Sequence, residues 1–149
     1  MRYLIVLIFC IGFVSCNTST NESEIIFADN QVVAHRGAWK TKGLPKNSIA
    51  ALKEAINLKC TGSEFDVRMT SDEVLIVTHD GDFGGLDIES NTYEELAKHK
   101  LPNGETLPTL KDFILAGMTN NTATGLVCEI KSSKIEGRNM LMADKTVAL

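Results

Sequence analysis

The chain has no excess of basic residues: 15 Lys and Arg stand against 19 Asp and Glu, a formal net charge of −4. A nucleic-acid-binding domain carries a basic face to neutralise phosphates, so that class of partner is excluded and any anionic ligand must be held by local charges. Also missing is an apolar run of the roughly 20 residues that cross a bilayer as a helix. The apolar residues 4–14 are too short for that, which argues against a transmembrane anchor. Cysteine is too sparse for the disulfide framework of a small secreted domain. Of the four present, Cys10 and Cys16 lie in the N-terminal segment. Cys60, after an expected helix, and Cys128, inside an apolar strand, read as buried free thiols. Residues 31–149 contain neither a linker nor a repeat. At 44% hydrophobic and 23% charged, the composition is that of one globular domain, not a disordered chain.

What is present begins with Met1-Arg2-Tyr3, the apolar residues 4–14, then Ser15-Cys16 and a polar stretch from Asn17. A short apolar run ending in a small residue before a break in composition is an export signal. Residues 1–15 are therefore expected to be a signal peptide, 16–30 a polar tether, and 31–149 the folded domain. Phe13-Val14-Ser15-Cys16 resembles the lipobox of bacterial lipoproteins, with Phe13 where Leu is more usual. That resemblance implies lipid attachment at Cys16 and a protein anchored to a bacterial membrane on its periplasmic or cell-surface side. An ordinary cleaved signal with a coincidental cysteine is the alternative, and both readings place the mature protein outside the cytoplasm.

Within the domain, Val32-Val33-Ala34 reads as a short buried strand, and a helix follows, capped by Asn47 or Ser48 with Ile49, Leu52 and Ile56 on one face. Residues 63–69 alternate polar and apolar, and residues 74–77 are a further apolar run; both read as strands. Thr92 with Glu95 forms a capping box for a helix through His99, Asn103-Gly104 marks a turn, and Thr109 caps a helix over residues 110–116. Residues 126–131 read as a third main strand, and a last helix is expected from about Arg138. Strands alternating with helices argue for a parallel α/β sheet.

His35-Arg36-Gly37 places an acid–base group beside a fixed cation at a strand's C-terminal end. Glu64 and Asp66, at i and i+2 of a strand, share a face, while Phe65 and Val67 take the other. Converging carboxylates call for a hard divalent cation, because without one their like charges destabilise the site; a half-exposed strand with its polar face in water is the plainer reading. His79-Asp80 puts a second histidine after an apolar strand, so one imidazole can take a proton while the other gives one. Glu129 and Lys131 repeat the i, i+2 relation, as site residues or as a structural ion pair. Asp80 to Asn91 begins like a calcium-binding EF-hand loop but fails, with Gly84 at the fifth position and Asn91 at the twelfth. His99, between Lys98 and Lys100, is expected at a solvated helix end.

The ordered set His35-Arg36-Gly37, Asn47-Ser48, Glu64-Phe65-Asp66-Val67, Thr70, Asp72, Val77, His79-Asp80, Leu107-Pro108-Thr109-Leu110 and Glu129-Ile130-Lys131 resembles the glycerophosphodiester phosphodiesterase family. The resemblance implies a TIM (β/α)8 barrel in which Glu64, Asp66 and Glu129 hold one divalent cation, Ca2+ or Mg2+. It further implies that His35 and His79 are the catalytic acid and base, and that Arg36 and Lys131 bind the substrate phosphate. The implied reaction is hydrolysis of a small-molecule or lipid-derived glycerophosphodiester to an alcohol and glycerol phosphate. A non-catalytic surface lipoprotein binding phosphate or sugar groups would need the anionic pocket but not two histidines. Where the family commonly has Pro-Glu-Asn, this chain has Pro45-Lys46-Asn47, so a contact behind the metal ligands is expected to change. Such a barrel usually needs about 250 residues, so the chain is expected to be truncated after roughly the first three to four strands.

Overall fold

The structure is a computed structural model that describes residues 26–149; the expected signal peptide and Cys16 lie outside the described residues. In chain order the elements are β1 (Val33–Ala34), α1 (Ile49–Asn57), β2 (Gly62–Met69), β3 (Leu75–Val77), β4 (Asp82–Phe83), β5 (Leu86–Asp87), α2 (Tyr93–Leu96), α3 (Leu110–Met118), β6 (Gly125–Ile130) and α4 (Arg138–Val147). β2 is the central strand. It pairs in parallel with β1 through Val33 and Ala34, and in parallel with β6 from Gly62↔Gly125 to Val67↔Ile130.

The alternation along β2 sorts its two faces. Phe65, Val67 and Met69 are buried in a core with Leu52, Leu75, Val77, Leu110, Phe113 and Met142. Ile49 and Ile56 pack against that core, as their spacing with Leu52 predicts. Phe65 and Phe113 meet with ring centroids 4.8 Å apart, tilted by 42°. Burying a side chain of that size contributes about 1.5–3 kcal/mol. Ser48, rather than Asn47, caps α1 by accepting from the Ala51 N–H at 3.0 Å, and Thr109 caps α3 by accepting from the Asp112 N–H at 3.1 Å. Gly37, at φ +79°, packs directly on α1: a Cβ there would lie 2.7 Å from the backbone carbon of Ala51, so the turn after β1 is seated on the helix.

The all-parallel arrangement expected from alternating strands and helices does not hold for residues 75–77. β3 runs antiparallel to β2, with Val67↔Val77 and Met69↔Leu75. The reason is a tight reversal in which the Thr70 N–H donates to the Val74 carbonyl at 3.0 Å and Glu73 takes φ +62°. The hairpin turns the chain back, so that the Thr78 N–H donates to the Asp66 carbonyl at 3.0 Å. Ile76 then faces away from the main core and joins Ile88, Leu96 and Leu107 in a second apolar cluster.

That second cluster contains a β4–β5 hairpin absent from the sequence reading, closed by Gly84 and Gly85 at φ +62° and +80°. The capping box of Thr92 and Glu95 is formed, but α2 ends at Leu96 rather than at His99. His99 is not a solvated end: it is half-buried, edge-on to Phe83, and a Cβ at Gly84 would lie 2.3 Å from its ring. The folded region also begins earlier than residue 31. The Ala28 N–H donates to the Ala123 carbonyl at 3.0 Å, and the Asn30 side chain donates to the Lys59 carbonyl at 2.8 Å. Cys60 and Cys128 are both free, but only Cys60 is buried. Cys128 is exposed because β6 is an outermost strand, with no partner beyond it among the described residues.

Candidate active site

The parallel register decides which side chains meet. Asp66 pairs with Glu129 across β2 and β6, and Glu64 is two residues before Asp66 on the same face. Glu64, Asp66 and Glu129 each offer a carboxylate oxygen, and these oxygens all lie within 4.8 Å of one another. Asp66 is fully buried, Glu64 half-buried and Glu129 exposed. Oδ1 of Asp66 and Oε1 of Glu64 are buried with no hydrogen-bond partner. Two buried carboxylate oxygens without a hydrogen bond, set beside a third carboxylate, are costly, and the all-oxygen donor set fits a hard divalent cation.

Two fixed cations flank the acids. Arg36 sits at the end of β1 with φ +59°, its N–H donating to Glu64 Oε2 at 2.8 Å and its Nε 3.3 Å from Asp66 Oδ2. The Arg36 pair is an ion contact rather than an aligned hydrogen bond, since Nε has no hydrogen-bond partner. Lys131 follows β6, where its N–H continues the ladder to the Val67 carbonyl at 3.0 Å. Its Nζ donates to Glu129 Oε1 at 2.7 Å and lies 3.4 Å from Asp66 Oδ1. The hydrogen bond to Glu129, with the Asp66 charge behind it, raises the Lys131 ammonium above its ordinary pKa. Three carboxylates against two cations leave one negative charge uncompensated.

The histidines stand at the rim. The His35 side chain is 68% exposed, with Nε2 3.9 Å from Glu64 Oε2. His79 reaches the same end of the sheet through the hairpin, and its Nδ1 lies 2.8 Å from Asp80 Oδ1. That contact assigns the proton to Nδ1 and leaves Nε2 free. The Asp80 carboxyl is held below the ordinary carboxylate range, first by the hydrogen bond with His79, with Arg36 and Arg68 adding attraction.

Two contacts at the site escaped sequence reasoning. Arg68, whose Nε donates to the His79 carbonyl at 2.8 Å, continues the Glu64, Asp66 face by the same i+2 rule that found them. Asn47, read as an alternative cap to Ser48 and as part of the motif that carries the resemblance, donates from Nδ2 to Asp66 Oδ2 at 2.9 Å, a contact the sequence did not show. Lys46, where the family commonly has a carboxylate, is turned toward Trp39. Its ammonium sits 4.7 Å from the centroid of the Trp39 ring and makes no contact with the three acids among the described residues.

The family model described as "Glycerophosphoryl diester phosphodiesterase family" matches residues 35–147. A probable glycerophosphodiester phosphodiesterase 2 of Mycobacterium tuberculosis is 35% identical over 89 residues, covering 56% of this chain and 33% of its own length. Among solved structures, a glycerophosphodiester phosphodiesterase from Parabacteroides distasonis superposes with a TM-score of 0.74 at 44% identity, over 79% of this chain and 49% of that one. A phosphodiesterase from Oleispira antarctica, solved with the product sn-glycerol-3-phosphate, gives a TM-score of 0.68 at 25% identity, over 80% of this chain and 52% of that one. The chain thus spans about half the length of these solved structures and a smaller share of the curated relative. Since the family's model runs from His35, at the first strand's end, through Val147 in the last helix, the chain belongs to the glycerophosphoryl diester phosphodiesterase family.

Proposed function

We propose that this site hydrolyses glycerophosphodiesters to an alcohol and glycerol phosphate, with one divalent cation, Ca2+ or Mg2+, held by Glu64, Asp66 and Glu129. The observation that carries the reading is the convergence of those three carboxylates within 4.8 Å, with two of their buried oxygens lacking a hydrogen bond. Bound there, the cation would polarise the phosphoryl group and offset its developing charge. Arg36 and Lys131, already beside Asp66 at 3.3 and 3.4 Å, would hold the phosphate oxygens. One of His35 and His79 would take the proton of the glycerol hydroxyl next to the phosphate as that oxygen bonds to phosphorus. The other would give a proton to the departing alkoxide as its P–O bond breaks. Attack by a hydroxyl of the same molecule gains from proximity, and water then opens the cyclic phosphate with the two roles reversed.

The same reading takes the parallel strands β1, β2 and β6 as part of a (β/α)8 barrel with its chemistry at the strands' C-terminal ends. It also takes Cys16 as a lipid anchor on the outer side of a bacterial membrane, supported by the signal-like residues 1–16. The test is Glu64→Gln with Asp66→Asn in the intact protein. Loss of both cation binding and diester hydrolysis, with the fold retained, is expected; undiminished hydrolysis would remove the assignment.

A further inference from the structure

We infer that Asn47 is the positioning residue of this centre, the group that turns Asp66 so that one carboxylate oxygen is left for the cation. The inference rests on the cation reading above and adds to it a residue outside the ligand set.

Asn47 is 4% exposed, one of the few buried polar residues of the protein. Its side chain engages Asp66 twice: Nδ2 donates to Asp66 Oδ2 at 2.9 Å, and Oδ1 accepts from the Asp66 N–H at 3.3 Å. The backbone N–H can only donate, so it fixes which end of the amide is oxygen and which is nitrogen. With the amide so oriented, Oδ2 of Asp66 is taken by Asn47, and Oδ1 is the oxygen left without a hydrogen bond, on the side of Lys131. A primary amide suits both contacts, since its oxygen and its NH2 lie side by side on one carbon. An aspartate would set an anion against Oδ2.

The backbone of Asn47 does a second job. It sits at φ +59°, a left-handed conformation that asparagine tolerates better than most residues. There its N–H donates to the Arg36 carbonyl at 3.1 Å. Arg36, also at φ +59°, uses its own N–H to hold Glu64 Oε2 at 2.8 Å. Two left-handed residues thus brace two of the three carboxylates, Arg36 through Glu64 and Asn47 through Asp66. Strain of this kind persists where surrounding contacts over-determine it.

The test is calorimetric titration of Ca2+ alone into the intact protein, with thermal melts in chelator. Asn47→Gly keeps the left-handed backbone and deletes only the amide; Asn47→Ser, whose side chain cannot reach both Asp66 atoms, is the second variant. Each is expected to weaken Ca2+ binding about tenfold or more, the usual effect of losing a group that orients a ligand. Glu105→Gln is the structural control. Its carboxylate accepts from the Ile49 and Ala50 N–H groups at 2.9 and 3.1 Å and so caps α1 without touching Asp66. It should lower the melting temperature while leaving Ca2+ affinity within about twofold, below the tenfold loss expected at Asn47. If wild type binds Ca2+ and the Asn47 variants bind it equally well, or no worse than Glu105→Gln does, the inference is overturned and the cation reading stands. If wild type binds no Ca2+ or Mg2+, both fall.

Discussion

Replacing Lys131 with Met should move cation affinity and catalysis in opposite directions. Lys131 stands between Asp66 and Glu129, with Nζ 3.4 Å from Oδ1 of one and 2.7 Å from Oε1 of the other. A cation that takes those oxygens must displace or weaken both ion pairs and then endure the ammonium as a neighbour. Glu129 is 54% exposed, so its pair with Lys131 is screened to about 0.5–1 kcal/mol; Asp66 is 1% exposed, and desolvation offsets most of that pair's attraction, leaving a similar ~0.5–1 kcal/mol. Removing the ammonium should therefore tighten Ca2+ binding by about 1–2 kcal/mol, roughly 5- to 30-fold. On the proposed mechanism the same change deletes a donor for the phosphate oxygens, a loss that typically costs about 10²–10³ in turnover. Calorimetric titration and a diester hydrolysis assay read the two quantities separately. The competition should persist across neutral pH. Because the folded-state pKa of Lys131 is raised, its ion pairs are fully formed below the ordinary lysine value of 10.5 and are lost only as pH rises through the folded value. Weaker Ca2+ binding by Lys131→Met, or unchanged hydrolysis, would refute the placement of this ammonium between ligand and substrate.

Further outcomes follow from other contacts. Phe65→Ala, which empties the place against Phe113, should cost about 3–5 kcal/mol in chemical denaturation; a loss below 1 kcal/mol would mean that the core collapses around it. The Asp80 carboxyl, held by His79, should titrate below the ordinary aspartate value of 3.8 by NMR. Its contribution is present above that value and fades as pH falls through the folded pKa, so an acid limb of activity near pH 6 cannot come from Asp80, and a midpoint above 3.8 would contradict the pair. Cys16→Ala should shift the protein from the detergent phase to the aqueous phase, whereas wild-type protein that is already aqueous and retains its first residues would exclude the anchor.

The site was legible in the sequence to the extent that it obeys strand parity. Strand parity pairs Glu64 with Asp66 and Glu129 with Lys131; only the family resemblance joins Glu129 to the other two acids, and the register Asp66↔Glu129 brings it to them. The caps Thr92, Thr109 and Ser48 were legible because a single hydroxyl before an apolar stripe has one local use. What failed was long-range or conformational. An antiparallel β3 and a parallel one have the same apolar run, and only the reversal at Thr70 to Val74, with Glu73 at φ +62°, tells them apart. Asn47 and Ser48 are both good caps by residue type, and local pattern does not choose between them; the partner that occupies Asn47 lies 19 residues away in β2. His99 between two lysines looked solvated, and its cover is Gly84, whose missing side chain leaves no sequence signal for packing.

If Glu64, Asp66 and Glu129 work as one cation centre for diester hydrolysis, the decisive assay is hydrolysis of a glycerophosphodiester by the intact protein, stripped with chelator and then titrated with Ca2+ or Mg2+. Activity should vanish on stripping, return with one equivalent of bound cation, and fail to return in Glu64→Gln with Asp66→Asn. Hydrolysis at an undiminished rate in chelator would contradict this expectation.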